Sequence, residues 1–370
     1  MNIPSHYQST LFDALAAKED IDLVVCYFEG ASASRAAEGW KGEHVLQPYE
    51  ASCAGETTPE GMLAHVAEWP ERIHLISSHF SRPLVEHFCK SGTPWCHWSE
   101  MPGIRLADLL GYRMELFRLL NPVMLLLKRN EGKVIKRHAL GAFGQGTMAR
   151  RAFGWMGVPD SMTANLFYAP SALKEAEADA GILEFAGGRK VFLSVNALSP
   201  RKGIDVLLKA FAQLHTQDWC VVFCGLDREN GKYQQLAEKL GITDKVLFLG
   251  AWPSDRIAEV YAAADVFVLS SRFDGWGAVL NEAASLKLPL IGTDLCGASY
   301  HAIEVNRNGY VARAGSVGSL KHAMNQYVSH PEKIGAHGAQ SKQIFEEQLT
   351  PAVNAERLVM ALKNWSSRAG

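Results

Sequence analysis

Two carboxylates eight residues apart, Asp274 and Glu282, stand on either side of a glycine-rich turn. Residues 265–269 form an apolar run rich in β-branched side chains. A polar turn at 270–272 follows, then Asp274-Gly275-Trp276-Gly277. From about Ala278 a helical pattern begins, with Val279, Leu280, Ala283 and Leu286 as its apolar positions. The order is strand, loop, helix, so Asp274 belongs to the loop and Glu282 to the helix, about one turn in. Gly275 and Gly277 let the backbone pass close to a ligand. The helix start turns its free N–H groups and positive end toward the same space, which suits a phosphate. The two carboxylates would accept hydrogen bonds from sugar hydroxyls. Upstream, Arg201-Lys202-Gly203 lies between a strand at 191–195 and a helix at 204–214. Two cations there would neutralise a diphosphate as it gains charge when a bond to it breaks. An ordinary βα turn with a surface Asp and Glu would use the same residue types, and so would a helix-entry lysine in solvent.

The elements around these residues alternate strand and helix, which predicts a doubly wound parallel sheet. In the second half, strands are expected at 191–195, 219–224, 246–249, 265–269 and 290–293, with helices at 204–214, 232–240 and 255–262. In the first half the expected strands are 21–28, 74–77, 93–98 and a weak one at 139–143, with helices at 9–18, 84–90 and 145–155. Ligands of such sheets bind beyond the carboxyl ends of the strands. That makes His79, His97, Trp98 and Glu100 candidates in the first half, although a core histidine beside Trp95 and Trp98 fits His97 as well. His6 reads as a solvated turn residue in preference to one lining the cleft. The first strand of a Rossmann-like domain is expected to be very short or missing, as if the reading frame began late. Residues 171–189, Ala/Glu-rich and ending in Gly187-Gly188, read as a linker. Residues 352–366 read as a final helix.

The succession in the second half resembles the retaining glycosyltransferases of family 4 (glycosyl transferases group 1), whose Glu-x7-Glu element corresponds to Asp274 and Glu282, with Asp in place of the first Glu. The resemblance runs from about Val191 to Val328 and is weaker over residues 1–170. It implies an α/β GT-B architecture: two Rossmann-like doubly wound domains facing across a cleft, with a C-terminal helix crossing back to the first. The implied domains are an acceptor-binding one at 1–170 with the helix at 352–370, and a nucleotide-sugar-binding one at 171–351. It implies that Lys202 and Arg201 hold the donor diphosphate, that Asp274 contacts the donor hexose and Glu282 the ribose. The base would lie against backbone near Gly250, with Asn196, Gly275, Trp276 and Gly277 lining the donor site. A residue of the first domain, His97 or Glu100, would complete it. The family usually carries an arginine where this chain has Ala197; either Arg201 takes over that phosphate contact or the phosphate grip is weaker.

The implied reaction moves a sugar from a nucleoside-diphosphate sugar to a glycan or lipid-linked acceptor in cell-surface polysaccharide or lipopolysaccharide assembly. No metal or other cofactor is expected, since the cations Lys202 and Arg201 can take its place. A sugar-nucleotide epimerase of the same architecture would need an acid/base set around C2 of the sugar, which does not assemble. A sugar-nucleotide-binding scaffold with a decayed site is the other alternative, motivated by Ala197, Asp274 and the missing strand.

Composition sets the outer limits. The 370 residues are 48% apolar and 21% charged, with a net charge of −2, which fits two soluble domains and no nucleic-acid partner. Seven cysteines without ligand-like spacing predict a reducing compartment and no disulfide framework. The opening MNIPSHYQST has no basic start or apolar core, so no signal peptide is expected, and the protein is placed in the cytoplasm. Residues 105–151 hold ten basic side chains against three acidic ones in a leucine-rich setting. That suits either an anionic membrane surface or a pyrophosphate-bearing acceptor, or else a core-packed helix with a solvated basic face.

Overall fold

A computed structural model describes residues 6–28, 45–76, 82–100 and 122–369. His79 and residues 101–121 of the basic leucine-rich stretch lie outside them. The chain folds as two compact units. One holds the described residues up to Pro170 and those from Pro351 on, and the other is Ser171–Thr350.

The first unit opens with helix α1 (His6–Ala16), which starts three residues before the sequence pattern suggests. Strands β1 (Val25–Tyr27) and β2 (Glu50–Ser52) pair in parallel. A helical turn, α2 (Pro59–Leu63), follows. Then come β3 (His74–Ile76), α3 (Arg82–Ser91), β4 (Trp95–Ser99), α4 (Pro122–His138), β5 (Gly141–Gly144), α5 (Gly146–Trp155) and β6 (Thr163–Asn165). Strands β3 to β6 form a parallel sheet in chain order. Strand β6 has no counterpart in the sequence reading, because three residues are too few to show a period of two. One face of the sheet packs Phe88, Trp95, Ile135, Ala142 and Phe153.

The second unit begins with α6 (Ala180–Ala186), inside the stretch read as a linker. Asp179 caps it by accepting from the Ile182 N–H at 3.0 Å, Gly187 ends it in the left-handed region, and Ile182 and Ala186 are buried. The Ala/Glu composition hid two ordinary cap signals. There follow β7 (Lys190–Val195), α7 (Ile204–Ala212), β8 (Trp219–Cys224), α8 (Lys232–Lys239), β9 (Val246–Phe248), α9 (Ile257–Ala262) and β10 (Val266–Val268). Next are α10 (Val279–Ser285), β11 (Leu290–Thr293), α11 (Ser299–Ala302), β12 (Gly309–Ala312), α12 (Val317–Ser329) and α13 (Lys333–Ile344).

All six strands are parallel, in the order β12-β11-β10-β7-β8-β9. The chain starts in the middle of the sheet, works outward through β8 and β9, returns to the other side of β7 and works outward again. Strands β7 and β8 are almost uninterrupted apolar runs because helices cover both faces. The order reverses between β7 and β10. In open sheets of this kind ligands bind beyond the carboxyl ends of the strands at such a switch point.

The last helix, α14 (Pro351–Ala369), returns to the first unit. Its Ala355, Leu358 and Trp365 complete the other face of that unit's sheet, against Leu11, Phe12, Leu15, Phe143 and Leu166. Asn354 accepts from the Phe167 N–H at 3.1 Å, and Trp365 donates to the Ser161 carbonyl at 3.2 Å. Among the described residues no helix is long and apolar enough to cross a membrane.

Candidate functional site

The two loops at the switch point of the second unit are tied to each other. After β7, Pro200–Lys202 makes one turn of 3-10 helix, and Gly203 then takes φ 68° to enter α7. A Cβ at Gly203 would stand 2.1 Å from the Ser270 carbonyl oxygen, so only glycine fits. Ser270 donates from Oγ to the Lys202 carbonyl at 3.0 Å, and the Arg272 N–H donates to the Arg201 carbonyl at 2.8 Å. The Arg272 guanidinium grips Asp205 with two bonds of 2.7 and 2.8 Å and donates to the Pro200 carbonyl at 2.8 Å. Burial pushes the Asp205 carboxyl up, but Arg272 and Lys209 outweigh it and hold the group below the usual carboxylate range. Sequence reasoning missed this clamp. Its partners are 67 residues apart and nothing local pairs them.

The clamp delivers Lys202 to Asp274. The ammonium donates to Asp274 Oδ2 at 2.5 Å, and the Arg201 guanidinium stands 3.9 Å from the same oxygen. Arg201 also donates to the Phe273 carbonyl at 3.3 Å. Asp274 is only 7% exposed. Burial alone would raise its pKa. Lys202, Arg201 and the Trp276 N–H outweigh that and keep the carboxyl ionised below its ordinary range. The strand-like pairing of Asp274 with Cys296 fixes the backbone, its N–H donating to Leu295 at 2.9 Å and its carbonyl accepting from Gly297 at 3.1 Å. Gly277 at φ 91° has no room for a Cβ, which would meet Cys296 Sγ at 2.6 Å. Gly275 supplies the carbonyl on which Gly297 closes, so a side chain at Gly297 would stand 2.2 Å from it. Helix α10 starts two residues after Gly277 and carries Glu282 one turn in.

Glu282 is 7% exposed and accepts from the Tyr261 hydroxyl at 2.7 Å. Tyr261, on α9, is a second residue that spacing alone did not reveal. The Glu282 charge also reaches Cys224, at the carboxyl end of β8. Burial first, and Glu282 next, push that thiol up to about 12. Beside it, the Asn196 N–H donates to the Cys224 carbonyl at 2.8 Å and the Asn196 amide donates to Ser194 Oγ at 2.9 Å. The Gly250 carbonyl accepts from Gly225 at 2.7 Å, and Gly250 itself takes φ 73° with open space around its α-carbon. These groups rim the carboxyl ends of β7, β8 and β9.

Two expected site residues have buried side chains. The Trp276 indole is fully buried and stacks on His301 with ring centres 5.9 Å apart. It anchors the loop from beneath, and its contribution to the site is the backbone N–H on Asp274. His97, on β4 of the first unit, is 1% exposed and meets Phe153 edge-on at 5.4 Å. Burial, only partly offset by Glu131, drives its pKa down to about 4 and keeps the ring neutral. This is the environment of a core histidine. Its β4 position alternates inward with Trp95, a direction that proximity in sequence to Glu100 concealed. Glu100, half-buried, follows the carboxyl end of β4.

Residues 175–343 match the family model described as glycosyl transferases group 1. Among curated proteins, the chain is 27% identical over 180 residues to the D-inositol 3-phosphate glycosyltransferase of Nocardia farcinica, covering 46% of this chain and 39% of that one. It is 30% identical over 168 residues to the mannosylfructose-phosphate synthase of Agrobacterium fabrum, covering 41% and 37%. The matched segments thus span well under half the length of these relatives. Among solved structures, HepE of Anabaena in complex with UDP aligns over 98% of this chain and 100% of its own, with a TM-score of 0.72 and 16% identity. The sucrose-phosphate synthase of Thermosynechococcus elongatus aligns over 99% and 98%, also with a TM-score of 0.72 and 16% identity. These likenesses establish the GT-B fold.

Proposed function

We propose that this chain is a retaining glycosyltransferase that uses a nucleoside-diphosphate sugar. The observation that carries the reading is the buried Lys202–Asp274 contact at the switch point between β7 and β10, with Arg201 beside it. In this reading the diphosphate takes the Lys202 ammonium and the Arg201 guanidinium, Asp274 accepts a hydroxyl of the donor sugar, and Glu282, held by Tyr261, accepts from the ribose. Asn196 and the Gly250 backbone flank the base. The anomeric C–O bond breaks with its electron pair passing to the β-phosphate oxygen. The acceptor hydroxyl attacks from the same face and gives its proton to that phosphate oxygen, which retains configuration. Lys202 and Arg201 stabilise the charge that grows on the leaving diphosphate, so the step needs no metal. The cluster's two carboxylates both serve donor binding, which is why hydrolysis by a carboxylate pair is the poorer reading.

The acceptor is a glycan or lipid-linked glycan, met by the first unit near Glu100. The basic residues Lys128, Arg129, Lys133, Lys136 and Arg137 of α4 offer that unit a contact with an anionic membrane surface. The transferase and synthase activities of the relatives support a transferase, and the UDP and UDP-glucose complexes of HepE support starting with uridine donors.

The test is a thermal-shift series of the purified chain with UDP, GDP, ADP, CMP and TDP, beside Lys202→Ala and Glu282→Ala. One diphosphate is expected to raise the midpoint of the parent, and both variants are expected to lose that rise. A parent protein that no nucleotide stabilises would overturn the donor-site reading.

A further inference from the structure

The charges around Asp274 lead beyond donor binding as such. The switch-point cluster holds Lys202, Arg201 and Asp274, and the neighbouring guanidinium of Arg272 is already committed to Asp205 in a two-bond pair. Two cations and one anion therefore face the place where a diphosphate would lie. The thiol of Cys296 adds no charge, since burial pushes it up to about 12, with Asp274 acting in the same direction. A phosphate oxygen resting on the Lys202 ammonium would stand two hydrogen-bond legs from the Asp274 carboxylate, with the ammonium between them. The carboxylate is nearly sealed from solvent, so salt screens the pair poorly.

We infer that Asp274 is a charge discriminator that makes this site prefer a diphosphate esterified to a sugar over the free nucleoside diphosphate. The inference rests on the donor-site reading above. Near neutral pH a nucleoside diphosphate carries about three negative charges and its sugar conjugate about two, because the terminal phosphate's second ionisation lies near pH 6. The added charge of the free diphosphate falls on the terminal phosphate, beside the carboxylate. The conjugate replaces it with a sugar whose hydroxyls can donate to that same carboxylate. One residue thus repels the product and holds the substrate, which favours release of the diphosphate after transfer. A glutamine or asparagine at the position would hold the sugar without repelling the product.

The test is calorimetric titration of the full chain with the nucleoside diphosphate chosen by the thermal-shift series, with that diphosphate's β-methyl ester and with its glucose conjugate. The methyl ester removes one charge and adds almost no bulk. The parent is expected to bind the ester at least as tightly as the free diphosphate. Asp274→Asn is expected to tighten the free diphosphate about tenfold or more and the ester clearly less, as a unit charge at this range in a partly screened site implies. Asp274→Glu, which keeps the charge, is expected to keep the parent's ratio. A parent that binds the free diphosphate more tightly than the ester overturns the inference without any variant having to fold. So does an Asp274→Asn ratio equal to the parent's. If binding depends on Lys202 and only the ratio fails to move, the donor-site reading stands and the discriminator falls. If none of the three compounds binds the parent, both fall.

Discussion

Gly203 shows how little freedom single positions at this site retain. An alanine there would have to hold φ 68° and place its Cβ 2.1 Å from the Ser270 carbonyl oxygen. Gly203→Ala is expected to cost roughly 3 kcal/mol or more, read as a lowered unfolding midpoint, and to displace Lys202 from Asp274. His97 makes a separate prediction about pH. Its folded pKa of about 4 lies below the ordinary histidine value of 6.5, so the unfolded chain binds more protons between those two values. Stability therefore falls as pH drops from about 6.5 to 4 and the loss levels off below, amounting to about 3 kcal/mol. His97→Leu is expected to flatten this part of the pH profile of thermal unfolding. An unchanged slope would mean that the imidazole is not buried as described. The local pattern of residues 93–98 implies a strand, but that both of its faces are buried, one under α4 and α5 and the other under α1 and α14, depends on packing no local pattern shows.

At the scale of elements, the loops after β7 and β10 act as one piece because Arg272 and Asp205 join them. The pair is partly buried and geometrically complete, with two parallel bonds, so it is worth more than a surface ion pair. Arg272→Ala is expected to cost about 2 kcal/mol of stability. It is also expected to weaken nucleotide binding even where the variant is fully folded, since the Lys202 turn loses its hold. Exchanging the two charges in an Arg272→Asp, Asp205→Arg variant is expected to restore part of that binding. A fall in midpoint with unchanged affinity would reduce the clamp to scaffolding. The glycine-rich turn, the cations and the carboxylates were all legible in sequence, because strand-loop-helix succession is a local property. The clamp and the Tyr261–Glu282 bond were not, because both join segments that only the sheet order brings together.

At the scale of the molecule, the chain leaves the first unit at Pro170, completes the second, and comes back as α14. The apolar face formed by Leu11, Phe12, Leu15 and Phe143 has the last helix as part of its cover. Trp365 sits so closely on Gly141 that a Cβ there would stand 2.6 Å from its ring. Trp365→Ala is expected to cost about 3–5 kcal/mol. A chain ended at Thr350 is expected to aggregate through the uncovered face, as size-exclusion chromatography would show. Residues 171–350, with their own core, are expected to fold alone and unfold cooperatively on heating.

By itself the sequence determined the alternation of strands and helices and the residue types gathered at 196–203 and 274–282. Those follow from hydrophobic periodicity and turn chemistry, which act over a few residues. Tertiary structure alone decided that Lys202 pairs with Asp274, that Arg272 spends its charge on Asp205, that Trp276 and His97 are core residues, and that a helix within 171–189 packs on the second unit. Each of these turns on a strand order of 12-11-10-7-8-9 or on the packing of a distant helix. Burial and long-range pairing are properties of the assembled sheet, and no short window of sequence contains them.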